Sequence, residues 1–260
     1  MLLRRFPVLA AVFAVAAGAA SGETIKVGVT AGPHALILEA VKPIAAKSGL
    51  DIEIVEFKDY VAPNAALDAG ELQANSFQNQ PYLDNQTAER GYRIETVAQT
   101  VNFPVGIYSK KYKNWDAVPQ GASLSIPNDP TNGGRFLLLL QDKGALKLKA
   151  DVGSKPRVAD IADNPKEFRI VEVDAAQTAR SLDDVDAAGI NTNFATLAGL
   201  DPVKDPILRE DPKGPYTNII VVRSADKDKP WVKTLVQSYQ TPEIREFVLT
   251  KFKGAVLPSW

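Results

Sequence analysis

The sequence predicts an α/β protein of two lobes, each a mostly parallel sheet flanked by helices. Three observations carry this. Strand-like and helix-like segments alternate through residues 23–260, and a βαβαβα order favours parallel strands joined by covering helices. Two extended runs, 102–108 and 216–222, each contain or follow Pro or Gly without any linker-like stretch. They read as crossings between lobes. The expected division is 23–104 plus 220–260 for lobe 1 and 105–219 for lobe 2, with a small-ligand cleft between them.

The elements follow in order. Residues 25–29 alternate as a strand, and Pro33 opens a helix to about Lys47, stopped by Gly49. Residues 51–57 (DIEIVEF) form a second strand, and Asp59 caps a helix ending before Gly70. A short strand at 72–77 precedes a helix from Pro81, with Gly91 where a left-handed cap is wanted. In the second half, strands are expected at 123–126, 168–173 and 187–190. Helices are expected at 131–141 and around Ala179. The apolar run NIIVVR (218–223) is one more strand, and Thr241-Pro242-Glu243 opens the last of two closing helices. No repeat of 20 to 50 residues is visible.

Residues 1–22 differ in kind. Arg4 and Arg5 precede a 13-residue apolar run at 8–20 and small residues at 17–21. This pattern predicts a cleaved export leader, since the run falls short of the ~20 residues that span a bilayer. Its removal leaves 28 basic and 31 acidic residues, a net charge of −3. A mildly acidic surface excludes a phosphate-tracking nucleic-acid binder and a polybasic membrane contact. Cysteine is absent and Met1 is the only methionine, so the mature chain has no sulfur. Compositional drift and economy under sulfur scarcity both account for that. With no thiols and one histidine, thiolate and multi-histidine metal centres are excluded, and no cofactor is expected.

Three stretches carry candidate chemistry. PNDPTNGGR (127–135) joins a strand to a helix, whose first amides lack internal partners and favour anions. Gly133 and Gly134 would admit a ligand to the backbone, and Arg135 would clamp a carboxylate. The same residues also make an ordinary turn, with Thr131 as helix cap and Arg135 facing solvent. Tyr60, Phe77 and Tyr82, with the amides around Asn79, would form either an apolar wall with polar groups beside it or, as aromatics more often do, core packing beside a polar turn. Asn191 and Asn218, each at a strand terminus, would either bond a ligand's ammonium or amide or serve, as asparagine there more often does, as turn residues. For catalysis the inventory is thin. His34 stands in a helix opening, no Gly-x-Ser-x-Gly elbow occurs, and the acidic run 183–186 lacks a calcium-loop spacing.

In this order, VGVTAGPHA (27–35), VEFKDYVAPNAALDAGELQAN (55–75), FQNQPYL (77–83), IPNDPTNGGR (126–135), LDDVDAAGIN (182–191), NIIVVR (218–223) and FKGAVLPSW (252–260) resemble the NlpA/MetQ family of substrate-binding proteins of methionine ABC importers. The resemblance spans the mature chain. It implies a two-lobed periplasmic-binding fold (type II-like) and a non-catalytic, monomeric receptor that delivers an amino acid to a permease and ATPase. It assigns the ligand carboxylate to Arg135, the head group to Asn191 and Asn218, and the side chain to Tyr60, Phe77 and Tyr82. Where the family commonly has tyrosine and histidine, this chain has Ser76 and Asn79. That implies a roomier or more polar pocket, for methionine, an oxidised or N-acylated methionine, or a small peptide. The family's lipid-bearing cysteine is missing, which implies free diffusion in the periplasm.

Overall fold

The computed structural model describes residues 22–260, so the expected leader lies, but for Gly22, outside the described residues. Along the chain, β1 (Glu23–Thr30), α1 (Pro33–Lys47), β2 (Leu50–Phe57), α2 (Ala62–Asp68), β3 (Ala74–Asn75), α3 (Gln80–Arg90) and β4 (Ile94–Asn102) come first. Then follow β5 (Gly106–Tyr108), β6 (Ser123–Pro127), α4 (Pro130–Asp142), β7 (Lys147–Leu148), β8 (Ile161–Asp163), β9 (Arg169–Val173), α5 (Thr178–Ser181), β10 (Ala187–Ile190) and α6 (Thr192–Leu197). The chain closes with β11 (Leu208–Arg209), β12 (Thr217–Arg223), α7 (Pro230–Tyr239), α8 (Pro242–Phe252) and β13 (Leu257–Pro258).

Two sheets result, one per lobe. The first runs β13-β4-β12-β3-β1-β2 and the second β11-β5-β10-β6-β9, with β7 and β8 as a separate hairpin. The two-lobed α/β architecture is the expected one. The expectation of mostly parallel sheets is corrected: β1 pairs in parallel with β2 and β3, and β6 with β9 and β10, but β12, β4, β13, β5 and β11 join antiparallel. The reason is the crossing itself. A strand returning from the other lobe enters without a right-handed helical crossover and is free to run backwards. The whole of β12, from Thr217, pairs within the first sheet, so the return crossing lies ahead of Thr217 rather than between 219 and 220.

β12 explains its own apolar run. Ile220 and Val222 enter one core with Ile37, Val41, Trp231 and Val248, while Ile219 and Val221 face a second with Leu67, Leu72 and Leu83. A strand buried on both faces reads as a near-continuous apolar run, here 219–222. In lobe 2, Leu124, Ile126 and Ala187 pack under Phe136, Leu137 and Leu140 of α4.

Close contact, not ligand access, accounts for the glycines near the cleft. A Cβ on Gly133 would lie 2.6 Å from the Pro127 carbonyl oxygen, and one on Gly134 2.9 Å from the Lys155 Cα. Gly189 faces the Phe136 ring, which its Cβ would meet at 2.7 Å. Gly189→Ala is therefore expected to destabilise by about 1–3 kcal/mol through overpacking. Urea unfolding checks this, and a smaller residue at position 136 should recover part of the loss.

The acidic run 183–186 is also structural. Asp186 accepts from the Ser123 amide and hydroxyl and from Lys111, which holds its carboxyl at about 2. Asp183 pairs with Lys110. Among the described residues no cluster of metal-ligating side chains occurs.

Candidate ligand-binding site

A small cavity lies between the lobes, lined by side chains of both. Lobe 1 supplies His34, Tyr60, Phe77, Gln78, Asn79, Tyr82, Phe103 and Asn218, and lobe 2 supplies Asn132, Arg135, Asn191, Thr192 and Asn193. All seven residues singled out from the sequence (Tyr60, Phe77, Asn79, Tyr82, Arg135, Asn191 and Asn218) reach this one cavity.

The apolar wall is a set of mutually packed rings. Tyr60 lies 6.0 Å from both Phe77 and Tyr82 and 5.0 Å from Phe194, by ring centroids. Hydrogen bonds fix these rings. The Tyr82 hydroxyl donates to the Tyr60 carbonyl at 2.9 Å, and the Tyr60 hydroxyl donates across the cleft to Asn193 Oδ1 at 2.5 Å. With Lys155 Nζ donating to Asn85 Oδ1 at 2.9 Å, contacts run between the lobes on both sides, so the cleft is closed. Asn79 caps α3, its Oδ1 accepting from the Tyr82 amide at 3.0 Å. Ser76 is buried but lines no part of the cavity.

The polar wall keeps bonding capacity unspent. Asn191 Nδ2 donates to Asn132 Oδ1 at 2.8 Å, leaving Asn191 Oδ1 buried without a partner. Asn193 Nδ2 is likewise buried and unpartnered. One lone acceptor and one lone donor, both buried, each carry a desolvation cost that a ligand would relieve.

Arg135 is 3% exposed, which excludes the solvent-facing alternative. Its Nε donates to Glu210 Oε1 at 2.8 Å, and its Nη2 to Glu210 Oε2 at 2.5 Å and to the Phe103 carbonyl at 3.0 Å. The guanidinium also lies 4.0 Å over the Tyr216 ring. The Nε–Nη2 edge is thus spent on Glu210, and Nη1 alone takes no part in these bonds. The expectation of an open helix N-terminus is corrected too. Asp129 caps α4, its Oδ1 accepting from the Asn132 amide at 2.8 Å, so a carboxylate of the chain already sits there.

His34 opens α1, its ring 4.4 Å from that of Phe103. Burial lowers its pKa to about 4, against the Asn218 bond that raises it, so the imidazole is neutral. The Asn218 amide oxygen can only accept, so Nε2 carries the proton at 3.1 Å and Nδ1 accepts from the Thr30 hydroxyl at 2.8 Å. Both nitrogens are engaged.

Sequence reasoning had passed over several of these residues as ligand contacts. Asn132 and Asn193 stood inside stretches already singled out, and their amides were the available signal. Phe103 lay in a crossing segment. Tyr216 likewise opened a crossing segment, whereas Glu210 carried no local pattern at all.

Two mixed sheets closing on a cavity with an aromatic wall opposite unpaired amides and a buried arginine define a two-lobed substrate-binding protein. The chain belongs to the NlpA lipoprotein family, whose profile matches residues 25–260. It is 47% identical, over 91% of its length and 88% of the relative's, to the D-methionine-binding lipoprotein MetQ of Escherichia coli K12. The probable D-methionine-binding lipoprotein MetQ of Vibrio cholerae is 46% identical over 93% of this chain and 90% of that protein. Among solved structures, a nutrient binding protein from Burkholderia cenocepacia bound to methionine superposes with a TM-score of 0.89 and 53% identity, covering 91% of this chain and all of that one.

Proposed function

We propose that this protein is the extracytoplasmic receptor of an ABC importer, closing over methionine or a close relative and presenting it to a permease driven by an ATPase. The observation that carries the reading is that Asn191 Oδ1 and Asn193 Nδ2, an orphan acceptor and an orphan donor, belong to residues lining the same cavity as Tyr60, Phe77 and Tyr82. An α-amino acid satisfies both. Its ammonium donates to Asn191 Oδ1, its carboxylate accepts from Asn193 Nδ2 and Arg135 Nη1, and its side chain lies against Tyr60, Phe77 and Tyr82. Relatives named for D-methionine binding and a solved neighbour bound to methionine support the choice of side chain.

Binding without turnover is favoured by His34, whose two nitrogens are held by Thr30 and Asn218 and have no lone pair left for a substrate proton. The receptor would act as a monomer, and its two lobes would open and close by differential affinity of the ligand for the closed form. The leader pattern at 1–22 and the absence of cysteine from the sequence support a periplasmic protein without a cysteine-linked lipid. Among the described residues no helix is long and apolar enough to cross a membrane.

The test is calorimetric titration of protein refolded free of ligand, with native mass spectrometry of the protein as purified. One-to-one binding of L- or D-methionine at about micromolar Kd or tighter is expected. Silence toward both enantiomers, with a co-purified mass that fits no amino acid, would sink the reading.

A further inference from the structure

We propose that Glu210 is a specificity-determining positioning residue, which cancels the charge of Arg135 and so makes the cavity select a zwitterion over an anion of the same shape. The inference rests on the amino-acid reading above and deepens it. Arg135 is the one charged side chain lining the cavity among the described residues, His34 being neutral. Glu210 stands at its Nε–Nη2 edge, and both side chains also line a second groove outside the cavity. Its carboxylate accepts two bonds from Arg135 and a third from the Val105 amide at 3.2 Å. Glu210 side-chain exposure is 13% against 3% for Arg135, so the pair is shielded from water. The other nearby carboxylate, Asp129, is turned to the first amides of α4.

Arg135 and Glu210 together therefore bring no net charge to the closed site before a ligand enters. A zwitterion leaves it neutral, with its ammonium toward Asn191 Oδ1. A carboxylate without an ammonium leaves one uncompensated negative charge in a closed, poorly solvated space, beside the carboxylate of Glu210. N-acylated amino acids and 2-deamino acids fall in this second class. Glu210 also sets the geometry. By engaging Nε and Nη2 it leaves only Nη1 for the ligand and ties Arg135 to both chain crossings, at Phe103–Val105 and at Glu210 itself.

The probes are methionine and 4-(methylthio)butanoate, the same molecule without its amino group, titrated into wild type, Glu210→Gln and Glu210→Asp. The readout is the ratio of the two dissociation constants. Wild type is expected to favour methionine by at least about a hundredfold, and E210Q to narrow that ratio by about tenfold or more. E210D keeps the charge, so its ratio should stay within about threefold of wild type while both affinities fall. Equal weakening of both ligands in E210Q, with the ratio unchanged, would show a merely structural role and overturn the proposal. Should E210Q lose its cooperative melt, equal affinity of wild type for the two probes overturns it, and a preference retained in E210D supports it. A wild type that binds neither probe is a different failure, that of the amino-acid reading itself.

Discussion

Arg135→Ala is expected to lower methionine affinity by about a thousandfold or more and to destabilise the protein by about 3–5 kcal/mol. The sequence alone would expect only the first effect, with the fold left intact. The second follows from Glu210, whose carboxylate takes two of its three bonds from Arg135 and would be stranded beside the Tyr216 ring. Removing one partner of a buried ion pair costs more than removing both, because the survivor keeps its desolvation cost without its attraction. The double variant Arg135→Leu/Glu210→Leu should thus recover much of the stability while remaining unable to bind. Urea unfolding and titration calorimetry on the three proteins separate the two roles. A single variant that binds poorly yet unfolds like wild type would mean that Glu210 finds solvent when Arg135 is gone.

Lowering the pH from 6.5 to 4 is expected to remove about 3 kcal/mol of stability through His34 alone. Its pKa falls from 6.5 to about 4 on folding, because burial disfavours the imidazolium. Between those values the unfolded chain takes up a proton that the folded chain refuses, so stability rises with pH across the window. Above pH 6.5 neither state is protonated and the dependence stops. Asp186 adds a separate loss at lower pH, since its carboxyl drops to about 2 and must be protonated against Lys111 and Ser123. Asp129 acts in the opposite sense: burial raises its pKa, so the folded form holds that proton more tightly. Chemical unfolding at half-unit pH steps measures the slope. His34→Gln, which cannot titrate, should flatten it between 6.5 and 4 and leave the Asp186 loss in place.

How much of this was legible in the sequence depended on whether the cause was local. The helix from Pro33 to Lys47 and the strand at 187–190 fall where proline, glycine and apolar runs put them. The run 218–223 reads as a strand because burial on both faces makes its four central residues, 219–222, all apolar. β4 was not legible: residues 95–99 are partly or largely exposed, and it is held in place by pairing with β12, far along the chain. The pairs β7–β8 and β5–β11 are too short to leave a pattern. The same division runs through the site. Tyr60, Phe77, Tyr82, Asn191 and Arg135 stood in stretches whose chemistry could be read along the chain. Glu210 meets Arg135 across 75 residues, from a segment with no periodicity, and no local rule finds it. Along the chain, 127–135 fits both an anion-binding helix start and a turn capped by Thr131; the cap is Asp129, whose carboxylate accepts from the Asn132 amide.

The place of β12 between β3 and β4 also sets a timetable for the chain. Residues 23–102 leave the ribosome first, yet the strand that joins β3 to β4 comes after the whole of lobe 2. Helices α7 and α8, which cover one face of that sheet, come later still. Lobe 2 is drawn from one continuous stretch and can assemble as soon as it emerges, whereas lobe 1 waits for distant partners, the kind of non-local pairing that slows folding. The half of the molecule made first is thus the half finished last, since its sheet is continuous only once β12 has paired with both β3 and β4.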